Sequence, residues 1–200
     1  MYKTKIRFLM LAVCIALCSI FPAHAFARAE LPPIRPRTSL TDDDLDRTIR
    51  AKGCVLIDAS DPDTLLYAKN PDEPIIPAST TKIMTCLVAL EHSTLTDKVT
   101  VRREHLREGS SMYLAEGESL TMEELLYGLM LPSGNDAAEC IAAHCGGSGG
   151  SAQFVRWMNE KAKALGMEHT SFANPSGLDE MGHSSCALDM ARLAAYAMQN

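Results

Sequence analysis

Ile76-Pro77-Ala78-Ser79-Thr80-Thr81-Lys82-Ile83-Met84-Thr85-Cys86-Leu87-Val88-Ala89-Leu90 is the stretch on which the reading of this chain turns. From Ile83 to Leu90 it is almost wholly apolar, and a helix apolar on every side is a buried one. A loop with three prolines, Asn70 to Pro77, leads into it, so Ser79 stands at the mouth of a core helix. Backbone N–H groups and the helix dipole favour developing negative charge there. Ser79 and Lys82 are three apart and share a helical face. A lysine on an apolar helix is desolvated, which lowers its pKa and makes the neutral amine available to take a proton from the hydroxyl. Serine with a lysine base is the equipment of one class of acyl-transferring enzyme. Alone, Ser-x-x-Lys is common, and on most helices it is a cap beside a surface charge.

A second polar cluster raises the specificity. Pro132-Ser133-Gly134-Asn135 interrupts two apolar helices. The first opens on the capping box Thr121-Met122-Glu123-Glu124 and runs to about Met130. The second spans Ala137 to Cys145 and closes at Gly146. Gly134 permits unusual backbone angles, and loops packed between buried helices carry such polarity when it is used. The candidate catalytic residues are therefore Ser79, Lys82, Ser133 and Asn135. A third element of such enzymes, a Lys-Thr-Gly or Lys-Ser-Gly strand, occurs nowhere in the 200 residues.

Outward from these motifs, Thr41 to Ala51 predicts a short acidic helix capped by Thr41. Cys54-Val55-Leu56-Ile57 and Leu65-Leu66-Tyr67-Ala68 predict a hairpin turning at Ser60-Asp61-Pro62-Asp63. Ser151 is expected to cap a helix over Ala152 to Leu165, and Ala187 to Asn200 begins another with no stop signal. Two good strands, one or two short ones and five or six helices result, with no internal repeat. Two strands make a poor sheet, so the expectation is part of a longer α/β (α+β) domain, truncated at its C-terminal side.

The first 25 residues read as an export signal. Lys3, Lys5 and Arg7 precede the apolar run Phe8 to Ile20, and Ala23-His24-Ala25 offers small residues for cleavage. That run is short for a membrane span. Residues 26–40, rich in Pro and Arg, read as a flexible leader, and 41–200 as the catalytic portion. Without residues 1–25, Lys+Arg falls from 19 to 16 against 25 Asp+Glu, a net charge of 16 − 25 = −9. This argues against a nucleic-acid partner and offers no attraction to anionic lipid. Five cysteines remain: Cys54, Cys86, Cys140, Cys145 and Cys186. An odd number leaves at least one unpaired. Cys140, His144 and Cys145 imitate metal ligands, but nothing completes a tetrahedral set, and buried thiols are the plainer reading.

Two decoys arise. Gly146-Gly147-Ser148-Gly149-Gly150 fits the nucleophile elbow G-x-S-x-G, which must follow a strand. Here it follows a helix and reads as a flexible connector. A triad of a serine with His183 and Asp179 or Asp189 is also conceivable from the sequence, although nothing fixes it.

The segment Ile76 to Thr85, preceded by Leu66-Tyr67-Ala68-Lys69-Asn70, resembles the nucleophile segment of low-molecular-mass penicillin-binding proteins of the D-alanyl-D-alanine carboxypeptidase type. Gly109-Ser110-Ser111-Met112-Tyr113-Leu114, Leu131 to Ala137, Asn174 to Asp179 and Gly182 to Asp189 resemble further family segments in the same order. Ser176 stands where the family often has histidine, and Cys186 where it often has threonine. The resemblance implies a penicillin-binding/β-lactamase-like transpeptidase domain, an antiparallel sheet with a helical part. It implies removal of the terminal D-alanine from peptidoglycan stem peptides ending in D-Ala-D-Ala, through an acyl-enzyme on Ser79. Lys82 is then the base, Ser133 the proton relay and Asn135 the holder of a substrate amide. β-Lactams follow as inhibitors. No metal or organic cofactor is implied, and membrane contact only through an anchor beyond Asn200. An exported protein, periplasmic or at the outer face of the cytoplasmic membrane, is expected. The alternatives are a D,D-endopeptidase, a class A β-lactamase-like enzyme and an inactive wall-binding remnant. Gly134 speaks against the β-lactamase, which would carry Ser-Asp-Asn and a separate glutamate.

Overall fold

The computed structural model describes residues 41–199, so the expected signal and leader lie outside the described residues. Helix α1, Asp42–Thr48, opens on a complete capping box: Thr41 accepts from the Asp44 N–H, and the Asp44 carboxylate accepts from the Thr41 N–H. Strands β1 (Cys54–Asp58) and β2 (Asp61–Lys69) pair antiparallel, from Cys54 opposite Lys69 to Asp58 opposite Asp61. The turn is tighter than the sequence suggested. Asp58 Oδ1 accepts both the Ser60 N–H (2.8 Å) and the Ser60 hydroxyl (2.6 Å), which reverses the chain within Ala59-Ser60. Asp61-Pro62-Asp63 is consequently strand rather than turn. Register shifts around Ile57 absorb the mismatch.

The core is helical. After a 3-10 turn at Ala78–Thr80 comes α2, Thr81–His92. It is followed by α3 (Met122–Met130), α4 (Asn135–Cys145), α5 (Gly150–Ala164) and α6 (Ala187–Ala197). Met84, Val88, Leu125, Leu129, Ile141, Phe154, Met158 and Leu193 are fully buried where these helices meet. A two-stranded ribbon, β3 (Lys98–Thr100) with β4 (Ser119–Thr121), leads into the capping box of α3. Among the described residues no helix is long and apolar enough to cross a membrane.

Three local expectations are corrected. Helix α4 starts at Asn135 rather than Ala137, because Gly134 is extended and the Ala138 N–H already reaches the Gly134 carbonyl. Ser151 lies inside α5, where its hydroxyl donates to Glu139 at 3.3 Å, and caps nothing. The glycine run is a hydrogen-bonded 3-10 turn between α4 and α5, with Gly147 and Gly150 at positive φ. A side chain on Gly146 would collide with the Gly150 carbonyl, while Gly147 and Gly150 have open space around them and serve the backbone turn, so the run is a defined turn rather than a loose tether.

Helix α2 is not apolar all round. Thr81, Lys82 and Thr85 are buried on it, at spacings that put them on neighbouring faces. Each is satisfied by the segment 173–183 or by α4, and that polar stripe positions the site.

Candidate active site

Lys82 is only 2 % exposed. Its Nζ donates to Ser79 Oγ at 3.2 Å, to Asn135 Oδ1 at 2.8 Å and to the Ser176 carbonyl at 2.6 Å. An ammonium has three protons to donate, and all three are placed. Burial nevertheless pulls its pKa from the ordinary lysine range down to about 8. In the neutral amine two N–H groups remain beside one lone pair. The Asn135 and Ser176 oxygens can only accept, so they retain the two N–H groups. The lone pair is left facing Ser79 Oγ, the one partner with a proton to give.

Each member is held from elsewhere. Ser79 is exposed in the 3-10 turn that leads into α2, behind Ala78, whose φ of +47° is left-handed. Gly177, at φ +85°, passes so close to the Ala78 carbonyl that a Cβ there would collide with it. No described acceptor takes the Ser79 N–H, which stays free beside the Ser79 hydroxyl. Asn135 begins α4. Its Nδ2 donates to the Glu108 carbonyl at 2.8 Å, which aims Oδ1 at Lys82. Its backbone N–H donates to the Ser110 carbonyl. Beside it, Asp136 accepts from the Ser111 hydroxyl (2.6 Å) and from the N–H groups of Met112, Leu114 and Ala137. Burial alone would raise its pKa, but these four donors hold the carboxyl below the usual range. The carboxylate therefore clamps 109–114 over the site.

Ser79, Lys82 and Asn135 thus share one hydrogen-bonded cluster. Ser133 lies two residues before Asn135, half-buried at φ +61°, and its hydroxyl makes no hydrogen bond to a described residue. The His183 triad does not exist. His183 is buried, with Nδ1 accepting from the Ala173 N–H (3.0 Å) and Nε2 at 2.9 Å from Thr81 Oγ1. Asp189 binds the His169 N–H and the Thr170 hydroxyl instead. Cys140 Sγ lies 3.3 Å from His105, and His144 faces Asp97, so Cys140, His144 and Cys145 form no ligand set. All five cysteines in the described residues are free.

Sequence reasoning missed the Ser176 carbonyl and Asp136. The first had a signal: Asn174-Pro175-Ser176-Gly177 is turn chemistry, and Asn174 Oδ1 accepts from the N–H groups of Ser176 and Gly177. Thr85, donating to the Pro175 carbonyl at 2.7 Å, docks the same turn on α2. Asp136 had the weaker signal of an acid in the first turn of a helix.

Comparison with known proteins places the chain in a family. The family model described as D-alanyl-D-alanine carboxypeptidase, peptidase S11, matches residues 38–200. D-alanyl-D-alanine carboxypeptidase DacF of Bacillus subtilis is 45 % identical over 151 residues, covering 72 % of this chain and 38 % of that protein. A D-alanyl-D-alanine endopeptidase of Pseudomonas aeruginosa is 32 % identical over 152 residues, 74 % of this chain and 48 % of that protein. The crystal structure of the Streptomyces K15 DD-transpeptidase superposes with a TM-score of 0.71 at 34 % identity, over 76 % of this chain and 62 % of that one. The fold is the mixed helical and antiparallel transpeptidase fold that the motifs implied, and the chain spans 38–48 % of the length of these two sequence relatives. With the family model running across the whole region that builds the Lys82 cluster, the chain belongs to the D-alanyl-D-alanine carboxypeptidase family.

Proposed function

We propose that the protein is a serine-type D-Ala-D-Ala carboxypeptidase of the bacterial wall, with Ser79 as nucleophile. The observation that carries the reading is the buried Lys82 amine, aimed at Ser79 by two oxygens that cannot donate. Neutral Lys82 takes the Ser79 proton as Oγ attacks the carbonyl between two terminal D-alanines. The bond to the leaving D-alanine nitrogen breaks, and that nitrogen collects its proton by way of Ser133. The free Ser79 N–H serves as one donor to the oxyanion. Water then releases the acyl group from Oγ, with Lys82 again accepting the proton. Asn135 has its amide occupied by Lys82 and Glu108, so its first duty in this scheme is to orient the base. A β-lactam acylates the same oxygen, because its amide carbonyl stands where the scissile bond would.

Peptidoglycan lies outside the cytoplasmic membrane, which agrees with the export signal read in residues 1–25. The test is mass spectrometry after incubation with a fluorescent penicillin. One adduct on the peptide bearing Ser79, absent in Ser79→Ala, is expected. Equal labelling of Ser79→Ala would sink the proposal. A D,D-endopeptidase is the second reading, supported by the Pseudomonas relative. Faster cleavage of crosslinked muropeptides than of a linear D-Ala-D-Ala peptide would favour it.

A further inference from the structure

A second cluster of chemistry-bearing side chains takes no part in the reaction above. Asp72, His169 and Cys186 bring a carboxylate oxygen, an imidazole nitrogen and a thiol sulfur within 4.8 Å of one another. They come from three segments: the loop before Ser79, the stretch after α5, and the cap of α6. We propose that they form a binding site for a transition-metal dication of the zinc type, which joins these three segments.

Asp72 and His169 alone would be an ordinary surface ion pair, with both side chains about half exposed and Oδ1 to Nδ1 at 3.6 Å. The fully buried Cys186 beneath them changes the chemistry, because it adds a soft donor to one imidazole and one carboxylate. Mixed S, N and O donors suit zinc, not magnesium or calcium. Donor atoms of a tetrahedral zinc site lie roughly 3.3–3.6 Å apart, from bond lengths of about 2.0–2.3 Å. The His169–Asp72 separation of 3.6 Å already meets that, and the sulfur, within 4.8 Å of both, needs a shift of at most about 1.2 Å. With three protein donors and two of them facing solvent, the fourth position falls to water.

The surroundings hold the three donors in place without an ion. Asp189 ties the chain at two of them: its N–H donates to Cys186 Sγ (3.4 Å), and its Oδ2 accepts the backbone N–H of His169 (2.8 Å). Burial pushes the Cys186 thiol up and the Asp189 N–H offsets only part of that, so the proton leaves as the metal arrives rather than before it. The third donor's loop is tied to the same helix, since the Leu188 N–H reaches the Pro71 carbonyl and Ile75 pairs with Ser185. As the Sγ–metal bond forms, the thiol proton passes to solvent, with no change of oxidation state. The bound ion would pin the loop that delivers Ser79 to the segment that carries the Ser176 turn, a stabilising role outside the chemistry at Ser79.

Cobalt(II) is the probe, added to the purified full chain under a non-thiol reductant. One equivalent should produce a thiolate-to-cobalt charge-transfer band that zinc(II) abolishes by displacement. Cys186→Ser should lack the band. His169→Gln sits on the surface, so it should fold normally yet bind cobalt more weakly by more than the roughly 10- to 100-fold that an outer-shell change costs. Zinc(II) should raise Tm in the parent protein and not in His169→Gln. Absence of a stoichiometric band, a band that survives Cys186→Ser, or unchanged affinity in His169→Gln would each overturn the proposal.

Discussion

Lys82 and Asp136 are buried to the same degree, 2 % and 1 % exposed, yet burial has opposite outcomes for them. Asp136 meets four donors that stabilise its charged form, and their sum outweighs desolvation. Lys82 meets three neutral oxygens and no carboxylate, and desolvation wins. One group is locked in a single protonation state and acts as a clamp. The other sits near the point of exchange and can act as a base. The lesson is that the chemistry of the partners, not the depth of burial, separates a structural charge from a reactive one.

The contrast can be broken in four ways, taken from the largest effect down. Ser79→Ala should lower acylation by a β-lactam on the order of 10⁴-fold or more, with the thermal midpoint nearly unchanged, because Ser79 is exposed. Residual labelling near the parent rate would remove Ser79 from the mechanism. Lys82→Met should reduce the acylation rate constant about 10²- to 10⁴-fold, the usual worth of a positioned base. A loss under tenfold would mean that the amine only orients.

Asp136→Asn should act on stability instead. It leaves the Ser111, Met112 and Leu114 donors facing an amide rather than a carboxylate, at a cost of about 2–3 kcal/mol in denaturant unfolding. If it shifted the pH profile of acylation while stability stayed put, the assignment of clamp and base would have to be exchanged. The Asp136 contribution is present above the unfolded carboxylate pKa, and it is lost as pH falls through the depressed folded value.

The gentlest test is the pH profile itself. The acylation rate should rise about tenfold per pH unit below a midpoint near 8 and level off above it, as Lys82 loses its proton. A limb centred near the ordinary lysine value would show that the three oxygens, and not burial, govern the amine. Stability carries the same sign: because the folded pKa lies below the unfolded 10.5, the Lys82 penalty is fullest below about 8 and fades as pH rises towards 10.5.

Most of the helical core was legible from one sequence. The cap at Thr41, the capping box at Thr121, the apolar run of α2 and the Pro132 break all act within a few residues. The hairpin was legible except for its turn, where a single carboxylate, Asp58, captured Ser60 and moved the reversal forward. The glycine run misled for a related reason. Its composition resembles a tether, but the approach of Gly150 leaves no room for a Cβ at Gly146, and Gly147 and Gly150 turn the backbone at positive φ.

The Ser79–Lys82 pairing was visible because three residues of helix bring two side chains to one face, a matter of local geometry. What Lys82 becomes was not visible. Its other two partners lie 53 and 94 residues further along the chain, and desolvation is a property of everything packed around it. The same holds for the meeting of Asp72, His169 and Cys186, which no spacing rule anticipates. Backbone propensity and periodicity act over one or two turns and can be read in order. Proton affinity and ligand geometry depend on atoms brought together only when the chain closes on itself, so they belong to the folded molecule.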